Sequence, residues 1–258
     1  MKIAHITTAN ALNEISILGD IEYCLAPLCK ILQYKNYFIE QIKNNRYVIM
    51  DDSIAENGGT LTTDEIINLA IEMNISELVI PDVIGDFEKT NVKRKELLDK
   101  YYVKLKYQNI KLMGVVQGNT FQEYFDMFKE LENDGRIDTI GIPFRIKFYN
   151  TDVKYKDFYH AIQRLSFLYI IKDISIKPIH CLGCNNVYEI LQLNKTNIRS
   201  MDSKILSCYG VNNLLLQETD ETKPRDKNLD ILKDNLDEQS IEKTIENINK
   251  LNEILKNG

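Results

Sequence analysis

The chain has 258 residues, 44% hydrophobic and 27% charged, with a net charge of −6. That length suits one (β/α)8 barrel, with a core large enough to need neither disulfide nor metal. The acidic balance argues against a strongly basic nucleic-acid binder but leaves a local basic rim open, and no apolar run approaches the roughly 18 to 20 residues of a membrane span.

Residues 3–8 read as a first strand, and this start lacks the apolar stretch and cleavage site of a signal peptide. Residues 21–33 read as a helix, with Leu25, Leu28, Ile31 and Leu32 near helical spacing. Residues 47–51 form the expected second strand, followed by a turn-rich loop over 53–59. Thr62 with Glu65 makes a capping box that opens a helix through Met73. A third strand covers 77–80, a charged helix 93–107 and a fourth strand 111–116. Thr120 with Glu123 is a second capping box, starting a helix to about Glu132. Strand five covers 138–142, a helix 158–171, strand six 177–182, a short helix 186–193 and strand seven 197–201. The last apolar run, 211–216, reads as strand eight. A polar connection over 217–230 leads to an amphipathic helix marked by Ile241, Ile245, Ile248, Leu251 and Leu255. Alternating β and α units predict a single-domain α/β barrel over 1–258, with 217–258 as connection and terminal helix. There is no dinucleotide fingerprint and no P-loop. Five cysteines, an odd and sparse set, fit a reducing compartment, so a cytoplasmic location is expected.

Barrels of this kind carry their chemistry at the C-terminal ends of the strands. Asp202 ends strand seven, where a carboxylate is costly to desolvate without partners. It either caps the turn or acts as a nucleophile toward an electrophilic carbon such as a sugar anomeric centre. Asp51 and Asp52 point to opposite faces by strand alternation. Asp52 is expected at the mouth as a general acid or base, with a solvated turn as the alternative. Pro81 fixes the backbone before Asp82. A carboxylate held there suits an amidine-like N–H edge of a purine, or else simply closes a turn. Gln117 offers both donor and acceptor, to read a carbonyl and an N–H or to brace a loop. His180, Cys181 and Cys184 include one Cys-x-x-Cys without the second ligand pair of a structural zinc. They are expected to pack, and neither metal nor cofactor is expected. No Ser-His-Asp or Cys-His motif stands out.

In this order, over about residues 47–209, these segments resemble the tRNA-guanine transglycosylase superfamily. They look most like its compact phage and mobile-element relatives, which put 7-deazaguanine bases into DNA. Met50-Asp51-Asp52-Ser53 is similar to the family's Asp-Ser segment, whose aspartate serves as acid/base, and Ile80-Pro81-Asp82 to the segment with the base-reading aspartate. Val115-Val116-Gln117-Gly118 matches a Val-Gln-Gly whose glutamine contacts the base. Ile140-Gly141 is similar to a segment that contacts the base through backbone, and His180-Cys181-Leu182-Gly183 to the one before the nucleophile strand. Arg199-Ser200-Met201-Asp202-Ser203 then puts Asp202 on the nucleophile.

The resemblance implies a barrel in which Asp202 and Asp52 are catalytic and Ser53, Asp82, Gln117, Gly141 and His180 bind substrate. Arg145, Lys147, Arg199, Lys204, Lys223 and Arg225 are candidate phosphate contacts. It implies exchange of guanine for a 7-deazaguanine such as preQ0 or a derivative, with configuration retained and the target base out of the stack. Two departures matter. Ile54-Ala55 replaces the family's Gly-Gly, and the zinc-binding lobe of the tRNA enzymes is missing, so DNA is the expected polymer rather than tRNA. Assembly with a second copy or a partner protein is left open. Competing readings are a nucleosidase-type hydrolase acting on a free deazapurine nucleoside, and a non-catalytic module that orients a partner.

Overall fold

Eight strands of three to five residues run parallel: β1 (Lys2–His5), β2 (Glu22–Leu25), β3 (Val48–Asp51), β4 (Glu77–Val79), β5 (Lys111–Val115), β6 (Thr139–Pro143), β7 (Ile179–Leu182) and β8 (Ser200–Ser203). The computed structural model describes residues 1–53, 61–146, 148, 156–216 and 228–257. One sheet runs β1-β8-β7-β6-β5-β4-β3-β2, so its two edge strands are neighbours in sequence. The result is a nearly closed (β/α)8 barrel of TIM type. Its strands are buried on both faces, which explains why they read as continuous apolar runs rather than alternating ones.

The helices are α1 (Leu32–Lys43), α2 (Thr63–Met73), α3 (Phe87–Tyr107), α4 (Phe121–Asn133), α5 (Lys156–Ile171), α6 (Val187–Leu193), α7 (Ile205–Val211) and α8 (Glu238–Asn257). Thr62 and Glu65 form the reciprocal capping box. At the second expected box Thr120 Oγ1 accepts from the Glu123 N–H, but the Glu123 carboxylate accepts from Asn119 N–H instead of Thr120 N–H, so Thr120 is a simple N-cap. Helix α3 begins six residues before the expected 93, because Asp86 caps it by accepting from Lys89 N–H. Among the described residues no helix is long and apolar enough to cross a membrane.

Two expected elements are corrected. The helix over 21–33 is instead strand β2, a 3-10 turn (Ala26–Lys30) and the start of α1. Pro27 allows only a helix start there, and Glu22, which suggests an exposed position, is a buried strand residue satisfied by Ser16, Tyr37 and Arg46. The strand expected over 211–216 is the end of α7 and a turn. Asn247 of α8 supplies the bonds a sheet neighbour would have made: its Oδ1 accepts from Leu216 N–H and its Nδ2 donates to Leu214 C=O. Helices α7 and α8 approach so closely at Gly210 that a Cβ there would lie 2.1 Å from Thr244 Oγ1. The expected strands two to seven are therefore β3 to β8, and the eighth strand is β2.

The N-terminal end of the barrel is plugged by an ion pair. Glu77, fully buried at the start of β4, accepts from Arg199 Nη2 at 2.7 Å and Nη1 at 3.2 Å, and Arg199 Nη1 also reaches Thr139 Oγ1 at 2.9 Å. The C-terminal end stays open.

Candidate active site at the C-terminal mouth

At that end lies a cavity of about 370 Å³. Asp51, Asp82, Gln117 and Asp202 line it, from β3 and from the ends of β4, β5 and β8. Arg145 and Lys204 are also in its lining. This is a volume within the usual range for small-ligand sites.

Asp202 is held from one side. Its Oδ1 accepts from Gly183 N–H at 3.0 Å and is 3.0 Å from His180 Nε2. Oδ2 has no hydrogen-bond partner among the described residues. His180 is fully buried, stacks parallel to Tyr23 with centroids 5.8 Å apart, and has its Nδ1 2.8 Å from Ser200 Oγ. His180 thus supports Asp202 from within the barrel and does not line the cavity, contrary to the substrate contact expected of it.

Gly183 takes its place through a buried guanidinium. Arg164 of α5 and Glu189 of α6, both fully buried, pair at 2.7 Å. Arg164 then donates to the carbonyls of Leu182 at 2.9 Å and Gly183 at 2.7 Å. Gly183 has φ +66, a backbone state that suits glycine. Ser203 Oγ donates to Cys184 C=O, tying this turn to β8. The Cys184 thiol points to Glu189 and Asn186 C=O, and burial pushes the Cys181 thiol up to about 12. Neither cysteine is a ready thiolate, and among the described residues no three His, Cys, Asp or Glu side chains are grouped to hold a metal.

Asp82 sits against the base of the cavity. Gln117 Nε2 donates to Asp82 Oδ2, while Gln117 Oε1 accepts from Gly85 N–H at 3.0 Å. The Gly85 bond fixes which end of the amide faces Asp82. Burial, reinforced by the charge of Asp52, pushes the Asp82 carboxyl up to about 7. It therefore exists near neutrality as both carboxylic acid and carboxylate, able to donate as well as accept.

Other expected residues lie differently. Asp51, not Asp52, lines the cavity, while Asp52 is buried close enough to act on Asp82. Ser53 is buried at φ +59, with its N–H on Asp51 Oδ2 at 3.3 Å and its Oγ unpartnered among the described residues. Gly141 is mid-strand, packed against Leu182 and Met113, and its carbonyl accepts from Val116 N–H. The cavity lining here begins two residues later, with Pro143, Phe144 and Arg145, and does not include Gly141. Arg199 belongs to the plug at the opposite end and is not a phosphate contact at this mouth. Lys147, Lys223, Arg225 and the 54–59 part of the loop lie outside the described residues.

Three contributors carry no clear signal in the sequence. Tyr23 lies in a segment with near-helical apolar spacing. Arg164 reads as an ordinary helix cation. Asn228, Leu229, Asp230 and Ile231 wall the cavity, with Leu229 and Ile231 buried, and Asn10 clasps the backbone of Leu236 through Nδ2 to its C=O and Oδ1 to its N–H. Only the apolar pair in a polar stretch hinted at this strap.

No protein-family model matches the chain, and no curated protein does.

Proposed function

We propose that this protein is a base-exchange transglycosylase that replaces guanine in nucleic acid, DNA in preference to tRNA, with a 7-deazaguanine. What supports the reading is one observation: Asp202, Asp82 and Gln117 meet at a single cavity of a size to take a purine-like ring and its sugar. Asp202, with Oδ1 occupied by two partners, attacks the anomeric carbon through Oδ2. The glycosidic C–N bond breaks, its electron pair goes to the guanine nitrogen, and a carboxyl of the Asp51/Asp52 doublet protonates that nitrogen. The incoming base gives its proton to the same carboxylate, attacks the anomeric carbon and frees Asp202. Two displacements retain configuration. Asp82, with Gln117 behind it, reads the amidine-like edge of the base. Arg145 and Lys204 meet the phosphates.

The test is incubation with labelled guanine and separate duplex DNA, tRNA and nucleoside acceptors. Label retained by DNA supports the reading; label on no polymer defeats it. A nucleosidase-type hydrolase acting on a free nucleoside is the second reading. The Asn228–Ile231 segment favours it, because these residues add a further wall to the cavity, and a more enclosed cavity suits a small ligand better than a strand. Release of free base from nucleoside, with polymer ignored, would select it.

A further inference from the structure

A continuous hydrogen-bonded column runs through the barrel from its plugged floor to Asp202. Glu77 accepts from Arg199 at 2.7 Å, Arg199 Nε donates to Ser200 Oγ at 3.0 Å, and Ser200 Oγ lies 2.8 Å from His180 Nδ1. His180 Nε2 lies 3.0 Å from Asp202 Oδ1. The direction of each bond follows from what the groups can do. A guanidinium only donates, so Ser200 Oγ accepts from Arg199. The single hydroxyl proton is then free to point at Nδ1. A neutral imidazole accepting at Nδ1 carries its proton on Nε2, where it faces a carboxylate oxygen. The opposite tautomer would set the Nε2 lone pair against Oδ1. His180 is fully buried and stacked on Tyr23, so water cannot stand in for either partner.

We propose that Arg199 and Ser200 are positioning residues for Asp202: they hold His180 as its Nε2–H tautomer, whose donation to Oδ1 leaves Oδ2 directed into the cavity. Arg199 reaches the site through two side chains and touches no substrate. Glu77, buried at the floor, keeps the guanidinium in place and so anchors the far end of the column. The consequence for rate rests on the reading of Asp202 as the nucleophile; the tautomer itself does not.

The test reads the imidazole nitrogens by two-dimensional nitrogen–proton correlation in the free protein labelled at histidine. The chain has three histidines, and His180→Gln identifies the resonances of His180. The expected result is a protonated Nε2 and an unprotonated Nδ1 in the wild type, and a mixed population in Ser200→Ala and Arg199→Met. Arg199→Met leaves Glu77 buried without its partner and can fail to fold; Ser200→Ala removes one oxygen and keeps the ion pair, so it decides the matter alone. In the exchange assay Ser200→Ala is expected to lower kcat about tenfold with KM little changed, the scale of one lost hydrogen bond expressed in the transition state. An Nδ1–H or doubly protonated His180 in the wild type overturns the proposal, as does an unchanged tautomer in Ser200→Ala. The nitrogen measurement needs no substrate, so it stands even where base exchange is not found. Altered nitrogens without exchange activity would uphold the column and reject the transglycosylase.

Discussion

Arg164 and Asp202 are joined through a single peptide group. Arg164 Nη1 donates to the carbonyl of Leu182 at 2.9 Å, and the N–H at the other end of that peptide, on Gly183, donates to Asp202 Oδ1 at 3.0 Å. A cation on the carbonyl polarises the peptide and strengthens its N–H as a donor. Removing Arg164 strands the buried Glu189. Arg164→Met is therefore expected to lose about 3–5 kcal/mol of stability, and the pair Arg164→Met with Glu189→Leu to recover most of it. Urea denaturation measures both. Faster hydrogen exchange at the Gly183 amide is expected in both variants, because neither restores the donor to Leu182. Equal stability of single and double variants would contradict this account.

Asp82 makes stability depend on pH. Folded, its carboxyl titrates at about 7; its ordinary value is 3.8. Between those values the folded chain binds more protons than the unfolded one, so stability falls as pH rises through that window. The contribution is fully present below about pH 4 and is lost as pH passes 7, on the order of 4 kcal/mol at most. Asp82→Asn is expected to flatten this dependence, gaining on the wild type at pH 8 relative to pH 5. Asp52→Asn is expected to move the window down, since the Asp52 charge is one of its causes. Chemical denaturation at several pH values checks each. A wild-type stability that rises between pH 4 and 7 in step with the Asp82→Asn variant would show that Asp82 is not the group responsible.

The barrel itself was legible because buried parallel strands are short apolar runs separated by capped helices. Seven of the eight strands, the Thr62–Glu65 capping box and the Thr120 N-cap followed from that pattern. Strand β2 was not legible: a glutamate, a tyrosine and a cysteine in a buried strand look like a mixed helix face until Arg46 and Tyr37 are seen to satisfy Glu22. The site was legible at Asp82, Gln117 and Asp202, which end strands. It was illegible where long-range contacts decide, as in the choice between Asp51 and Asp52, the place of half-buried Arg199 at the floor of the barrel, and the cavity wall formed from 228 onward.

The strap is expected to tune affinity. Leu229 and Ile231 are buried in the cavity wall. Ile231→Ser removes an apolar wall and is expected to raise the KM for the free base several-fold while changing kcat less, read by steady-state kinetics. Asn10→Ala, which frees the Leu236 backbone, is expected to act in the same direction. An unchanged KM in both variants would remove the strap from the binding site.

Arg145 and Lys204 are expected to serve the polymer and not the base. Each Ala variant should weaken DNA binding alike across sequences and reduce the slope of log affinity against log salt by about 1 per lost phosphate contact. Arg199 variants should leave that slope unchanged, because Arg199 is at the other end of the barrel. Fluorescence anisotropy over a salt series separates the two outcomes.

The most direct measurement is capture of the covalent intermediate. The protein is mixed with duplex DNA, quenched in denaturant before the incoming base is added, digested and analysed by mass spectrometry. The account predicts a sugar–phosphate adduct on the peptide bearing Asp202, absent in Asp202→Asn, whose fold should survive because the amide oxygen still accepts from Gly183 and His180. An adduct on another residue, or turnover that persists in Asp202→Asn, would contradict it.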